Sequence, residues 1–211
     1  MYSVVIPTMW RVRSFPQFLE TLVKEPLVSE IIIINNDVKN TPSDLITHPN
    51  IKLLNQSTNI GVNAAWNLGV SASSEDTLCM LNDDIEFDFK IFNYLKDKIS
   101  TDVGMIGIDI HTKTSELSLE TVEEFMFGYA CLFFINKNNY TPIPDSILIY
   151  YGDNWLFNTN KLKQKTNKKV LGGSFRGIIS ATSRYFTLQS PLDQANYNIE
   201  MDKFKQNLSM R

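Results

Sequence analysis

Short apolar runs alternate with segments of helical spacing through the first half of the chain. Ser3 to Ile6, Glu30 to Ile34, Ile51 to Leu54 and Thr77 to Leu81 are apolar or β-branched almost throughout, the pattern of strands covered on both faces. Between them, Phe15 to Lys24 and Gly61 to Ala72 repeat apolar positions at helical intervals. Strands alternating with helices predict an α/β fold: a mostly parallel central sheet flanked by helices. Beyond a third predicted helix, Ile91 to Ile99, the pattern loosens. Met105 to Ile110 and Tyr129 to Ile135 predict strands separated by a polar stretch, His111 to Glu124. Trp155 to Lys163 predicts a helix, and the chain past Lys169, with Gly172, Gly173 and Gly177, predicts loop.

The 211 residues contain no internal repeat and no low-complexity tract, so a single domain spanning 1–211 is expected. Apolar residues make up 43% and charged residues 20%, which places the chain among folded globular proteins. A net charge of -3 supplies no global attraction to nucleic acid or to an anionic membrane. The longest apolar stretch, Phe125 to Ile135, is too short to cross a bilayer, so no transmembrane segment is expected. The start lacks a basic, then cleavable hydrophobic segment. Cys79 and Cys131 both sit in apolar runs and predict reduced, packed thiols, which fits a cytoplasmic protein.

Ligands of open α/β sheets bind beyond the carboxyl ends of the strands, where loops and helix N-termini converge. Polar clusters fall at three such ends: Pro7 to Arg11, Asn35 to Asp37, and Asn82 to Asp84. The last is the strongest local signal. Crowded carboxylates repel unless a cation or proton compensates, and hard cations such as Mg²⁺ or Mn²⁺ prefer oxygen ligands. The same three residues also suit a simple turn. In Asn59 to Gly69, Asn59 suits a helix N-cap, while Asn63 and Asn67, four apart, share one face of the helix that follows. Val62, Trp66 and Val70 share another, which packs on the sheet. The two amides either face a polar site or bond neighbouring backbone.

Taken in order, these pieces resemble glycosyltransferase family 2 and its relatives of the GT-A fold. Ser3 to Thr8 with Arg11 resembles that family's first strand and nucleotide-contacting turn, and Ile31 to Asp37 its second strand, whose end lies near base and ribose. Asn59 to Gly69 is similar to its Asn-x-Gly helix motif, and Asn82-Asp83-Asp84 occupies the place of its Asp-x-Asp metal motif. Phe127 to Cys131 resembles the segment lining the acceptor side, and Tyr150 to Leu156 the acidic motif whose Asp is the general base. The resemblance implies a GT-A domain with a nucleotide-sugar-binding half over about 1–90 and an acceptor-binding half over about 91–211. It implies a nucleotide-sugar donor, a UDP-sugar by preference, contacted by Pro7, Thr8, Arg11, Asn36, Asp37, Asn63, Asn67, Asn82 and Asp83; Arg176, a cation in a Gly-rich stretch, is added as a candidate donor contact on its own chemistry. It implies Mn²⁺ or Mg²⁺ at Asp84, with Asp83 as second ligand, and Asp153 as the base for an acceptor hydroxyl. Asp153 also suits the N-terminus of the following helix.

Two departures stand out: Asn82 replaces the first acid of the metal motif, and neither His48 nor His111 lies where relatives place a late histidine. A catalytically idle binding protein of the same fold is therefore a rival expectation. Lys161, Lys163, Lys165, Lys168, Lys169, Arg176 and Arg184 form a stretch without an intervening acid. It suits a lid on the diphosphate, a solvated face, or contact with a nucleic acid acceptor in place of a carbohydrate. Phe125, Phe127, Phe133 and Phe134 are expected in the core.

Overall fold

A computed structural model describes residues 1–111, 114, 116–177 and 187–210. The elements are β1 (Tyr2–Thr8), α1 (Phe15–Leu22), β2 (Val28–Asn35), β3 (Ile51–Asn55), α2 (Val62–Ala72), β4 (Thr77–Leu81), β5 (Ile85–Phe87) and α3 (Lys90–Leu95). They continue with β6 (Val103–Ile108), β7 (Ser118–Thr121), β8 (Leu132–Asn136), α4 (Gly152–Leu162), β9 (Thr166–Leu171), β10 (Phe175–Gly177) and α5 (Gln189–Ser209). Eight strands form one sheet in the order β3-β2-β1-β4-β8-β6-β9-β7, and β5 pairs with β10 in a separate ribbon. β3, β2, β1 and β4 are mutually parallel, as the alternation predicts. β8 then inserts antiparallel between β4 and β6, β9 runs parallel to β6, and β7 closes the edge antiparallel.

Alternate strand residues feed two apolar layers, so both faces of the sheet are covered. Val4, Ile6, Ile31, Ile33, Cys79 and Leu81 pack with α1 and α3, while Val5, Ile32, Ile34, Leu78 and Met80 pack with α2, α4 and Met201 of α5. Each such side chain, removed from water, contributes roughly 1.5–3 kcal/mol. With both faces apolar, pleat alternation alone does not pin strand register. A polar latch supplies that information. Buried Glu30 on β2 accepts from Ser3 Oγ on β1, from Ser74 N–H and Oγ before β4, and from Lys52 Nζ on β3. Burial alone would raise the Glu30 pKa, but these donors outweigh it and hold it at about 2.

Several boundaries differ from the predicted ones. α1 ends at Leu22 and α3 at Leu95, each short of its apolar pattern. Gly61, with φ 81, is the N-cap of α2; Asn59 instead braces the turn by accepting the Gly61 N–H at 2.9 Å. A Cβ at Gly61 would also lie 2.5 Å from the Leu148 carbonyl oxygen, so the position needs glycine on both counts. β8 begins at Leu132, because the chain turns through Gly128 (φ 79) before it. The polar stretch after His111 contains β7, and the region past Lys169 contains β10 and the 21-residue α5. Periodicity missed α5 because its buried positions, Asp193 and Met201, are not an apolar stripe, while Leu192 and Ile199 face outward.

Candidate active site

The strand ends β1, β2 and β4, the start of α2, the turn before β8 and the start of α4 line one open cavity of about 750 Å³. Its lining follows the sheet order. Asn36 lies after β2; Pro7, Thr8 and Arg11 lie on and after β1; Asn82, Asp83 and Asp84 follow β4; Gly128 and Cys131 precede β8; Ile110 follows β6. Asn63 and Trp66 enter from α2, and Asp153 and Asn154 from α4.

Two non-glycine residues with left-handed backbone flank the cavity, Trp10 (φ 57) and Tyr151 (φ 64). Such conformations persist only where surrounding contacts over-determine them. Trp10 donates its N–H to Thr8 Oγ1 at 2.9 Å and its Nε1–H to Asn35 Oδ1 at 2.8 Å, and its ring lies 5.5 Å from Phe15. The Thr8 hydroxyl in turn donates to Asp83 Oδ2 at 2.6 Å, tying the β1 turn to the acidic cluster. Tyr151 occupies the N-cap position of α4 and stacks on Tyr197 of α5, with ring centroids 5.5 Å apart.

Burial pushes the Asp83 carboxyl up to about 6 against the Thr8 hydrogen bond, and the neighbouring Asp84 adds to the rise. Burial likewise raises Asp153, opposed by the Asn154 N–H that donates to its Oδ1 at 2.9 Å. Cys131 lines the same cavity, and its thiol is pushed up to about 11 by burial and by the charges of Asp84 and Asp153. Three carboxyl groups thus converge on one cavity. Among the described residues no group of three or more His, Cys, Asp and Glu side chains could hold an ion unaided. Asp83 and Asp84 are hard oxygen donors, and a Mg²⁺ or Mn²⁺ fits them if a ligand's phosphate oxygens and water complete the shell.

The structure brings Pro7, Thr8, Arg11, Asn36, Asn63, Asn82, Asp83, Asp84 and Asp153 to the cavity. Asp37, Asn67 and Arg176, the other three expected donor contacts, are not among the residues that line it. Asp37 accepts from Asn40 Nδ2 at 2.7 Å in the turn after β2. Asn67 is bound to the loop before α4: its Nδ2 donates to Ile143 O at 2.8 Å, and its Oδ1 accepts from Tyr140 Oη at 2.9 Å and Ile143 N at 3.0 Å. Arg176 lies on β10, largely exposed, 3.8 Å from Glu86 on β5. Asn63 lines the cavity yet anchors backbone, donating to Ile147 O at 2.9 Å and Tyr150 O at 3.2 Å. Its Oδ1 faces Gly152, where a Cβ would come within 2.0 Å.

The basic stretch is largely answered by acids within the fold. Lys161 pairs with Glu123, Lys165 with Asp102, and Lys169 with Asp109 and Glu120. Arg184 lies outside the described residues. Trp66, expected only against the sheet, also lines the cavity, and Phe127, expected in the core, is 86% exposed at its edge. No periodicity distinguishes either from its buried neighbours.

The profile of the family described as Glycosyl transferase family 2 matches residues 3–166, more than three quarters of the chain. The chain belongs to that family. Among solved structures, Staphylococcus aureus TarS 1–349 in complex with UDP-GlcNAc aligns with TM-score 0.62 and 13% identity over 88% of this chain and 61% of that one. The mannosyltransferase PcManGT from Pyrobaculum calidifontis, in complex with GDP-Man and Mn²⁺, aligns with TM-score 0.61 and 12% identity, over 79% of this chain and 53% of that one. HddC from Yersinia pseudotuberculosis aligns with TM-score 0.55 and 13% identity, over 88% and 97%. At these identities the likeness establishes the GT-A fold, and this chain spans 61% of TarS 1–349 and 53% of PcManGT. A search of curated proteins finds no match.

Proposed function

We propose that the chain transfers a sugar from a nucleoside diphosphate donor to an acceptor hydroxyl, with Asp153 as general base. The observation that carries this reading is the convergence of Asp83, Asp84 and Asp153 on one cavity that the β1 turn and Asn36 also line. The nucleoside would lie along Pro7 to Arg11 and Asn36, a UDP-sugar being the preferred donor, and its diphosphate would reach Asp83 and Asp84. These two carboxylates would hold Mn²⁺ or Mg²⁺, which when bound supplies positive charge beside the leaving diphosphate. The Thr8 hydroxyl would keep Asp83 oriented for that role.

The acceptor oxygen attacks the anomeric carbon as the bond from that carbon to the diphosphate oxygen breaks. The hydroxyl proton passes to the Asp153 carboxylate, and the electron pair leaves with the nucleoside diphosphate. Burial raises Asp153, which makes it a better proton acceptor than a solvated carboxylate once ionised. One base and no enzyme nucleophile in the scheme correspond to direct displacement, hence inversion. A carbohydrate acceptor is favoured over a nucleic acid, because Lys161, Lys165, Lys169 and Arg176 already have acidic partners.

The test begins with thermal shift against UDP- and GDP-sugars with and without Mn²⁺, since ligands of the native state raise its stability. With the best donor, Asp153→Asn should lower turnover roughly 10²-fold or more while donor affinity holds. Near-normal turnover by that variant removes Asp153 from the mechanism, and no donor turnover by the native chain favours an idle binding protein.

A further inference from the structure

Helix α5 begins beyond the residues that match the family, yet it grips the segment carrying Asp153. Asp193 is completely buried. Its Oδ1 accepts the Leu148 N–H at 3.1 Å and Gln189 Nε2–H at 2.8 Å, and its Oδ2 accepts the Ile149 and Tyr150 N–H groups, both at 2.8 Å. A carboxylate taken out of water is costly unless donors surround it, and three consecutive backbone amides form such a cradle. The chain then passes through left-handed Tyr151 and Gly152 directly to Asp153.

Other residues of the same helix face reinforce the hold. Asn196 Nδ2 donates to Ser146 O at 2.6 Å, and Tyr197 stacks on Tyr151 while its hydroxyl accepts from Asn158 Nδ2 at 2.8 Å. Phe204 packs edge-on against Trp155 of α4, with ring centroids 5.5 Å apart. Positions 193, 196, 197 and 204 therefore form a contact stripe directed at the loop and helix that present Asp153.

We infer that Asp193 is a positioning residue for this reaction: by holding the amides of 148–150 it sets where the Asp153 carboxylate meets the acceptor hydroxyl. The inference rests on the base role of Asp153. Misplacing a reacting group by an ångström costs up to about 10²-fold in rate, so the hold matters to turnover as well as to folding.

Asp193→Asn discriminates well because both carboxylate oxygens accept two donors each, so either amide orientation sets an NH₂ group against donors. The assay is nucleoside diphosphate release from UDP-N-acetylglucosamine or GDP-mannose in Mn²⁺ with water as acceptor, using Asp193→Asn, Asp153→Asn and the double variant. Expected for Asp193→Asn is a fall in kcat of roughly 10-fold or more with donor KM unchanged, and faster hydrogen exchange at 148–150. The double variant should be no slower than Asp153→Asn alone, since displacing a base that is already absent has no further effect. Losses that multiply, or normal turnover by Asp193→Asn beside a crippled Asp153→Asn, overturn this inference alone. Normal turnover by Asp153→Asn overturns the base role and this inference with it. Should Asp193→Asn fail to fold, Tyr197→Leu keeps the cradle and removes the stack on Tyr151; its kcat should fall severalfold at constant donor KM, and an unchanged kcat overturns the proposal.

Discussion

Asn67→Ala separates a structural amide from a ligand-binding one. The family resemblance puts Asn67 on the donor, whereas the structure commits both ends of its side chain to the loop before α4: Ile143 O, Ile143 N and the Tyr140 hydroxyl. Truncation leaves the Tyr140 hydroxyl, 8% exposed with its ring, and the N–H and C=O of Ile143, which belong to two successive peptide groups, without these partners. Each orphaned buried group costs about 1–3 kcal/mol, and Asn67 is only half-buried, so water recovers part of it. A net loss of roughly 2–4 kcal/mol is expected, which for a domain of this size lowers Tm by about 4–16 °C. Urea and thermal denaturation measure the loss, and calorimetric titration with the best nucleotide-sugar measures donor affinity on the same preparation. Affinity should stay within about twofold of the native value, because 1.4 kcal/mol is a factor of ten and no donor contact is removed. A tenfold loss of affinity with an unchanged Tm would refute the reasoning and return Asn67 to the donor site.

Asp84→Ala should abolish the Mn²⁺-dependent part of donor binding while the melting curve stays near native; equal affinity with and without Mn²⁺ in the native protein would already contradict the metal assignment. Gly152→Ala places a Cβ 2.0 Å from Asn63 Oδ1, so the anchored Asn63 side chain or α4 must shift, and both Tm and turnover should fall together. Glu30, held at about 2 against an ordinary 4.5, contributes stability that is present above pH 4.5 and lost as pH falls through 2. The shift corresponds to about 3 kcal/mol at most, reduced because Lys52 is half-exposed. Glu30→Gln should therefore be less stable than native at pH 7, and the gap should close by pH 2 in urea titrations; a gap constant with pH would mean the latch is not ionic.

The parallel half of the sheet was legible in the sequence because its signals are local. Runs such as Ile31 to Ile34, short and β-branched throughout, read as strands buried on both faces, and a strand that breaks into Asn82-Asp83-Asp84 presents those side chains at a carboxyl end. The cavity, Asp83, Asp84 and the β1 turn follow from that rule, whereas Asp153, at the start of α4, comes from the family resemblance. Partner choice was not legible, because it depends on what packs opposite a side chain. Asn63 and Asn67 share a helix face, but only the loop at 140–150, lying against that face, determines that Asn67 is consumed by Ile143 and Tyr140. Arg176 follows the same logic, since the β5–β10 ribbon, which pairs residues about ninety positions apart, carries it to Glu86. The antiparallel insertion of β8 and the docking of α5 through a buried aspartate likewise leave no periodic trace, for a carboxylate satisfied by three distant amides looks in sequence like any exposed acid.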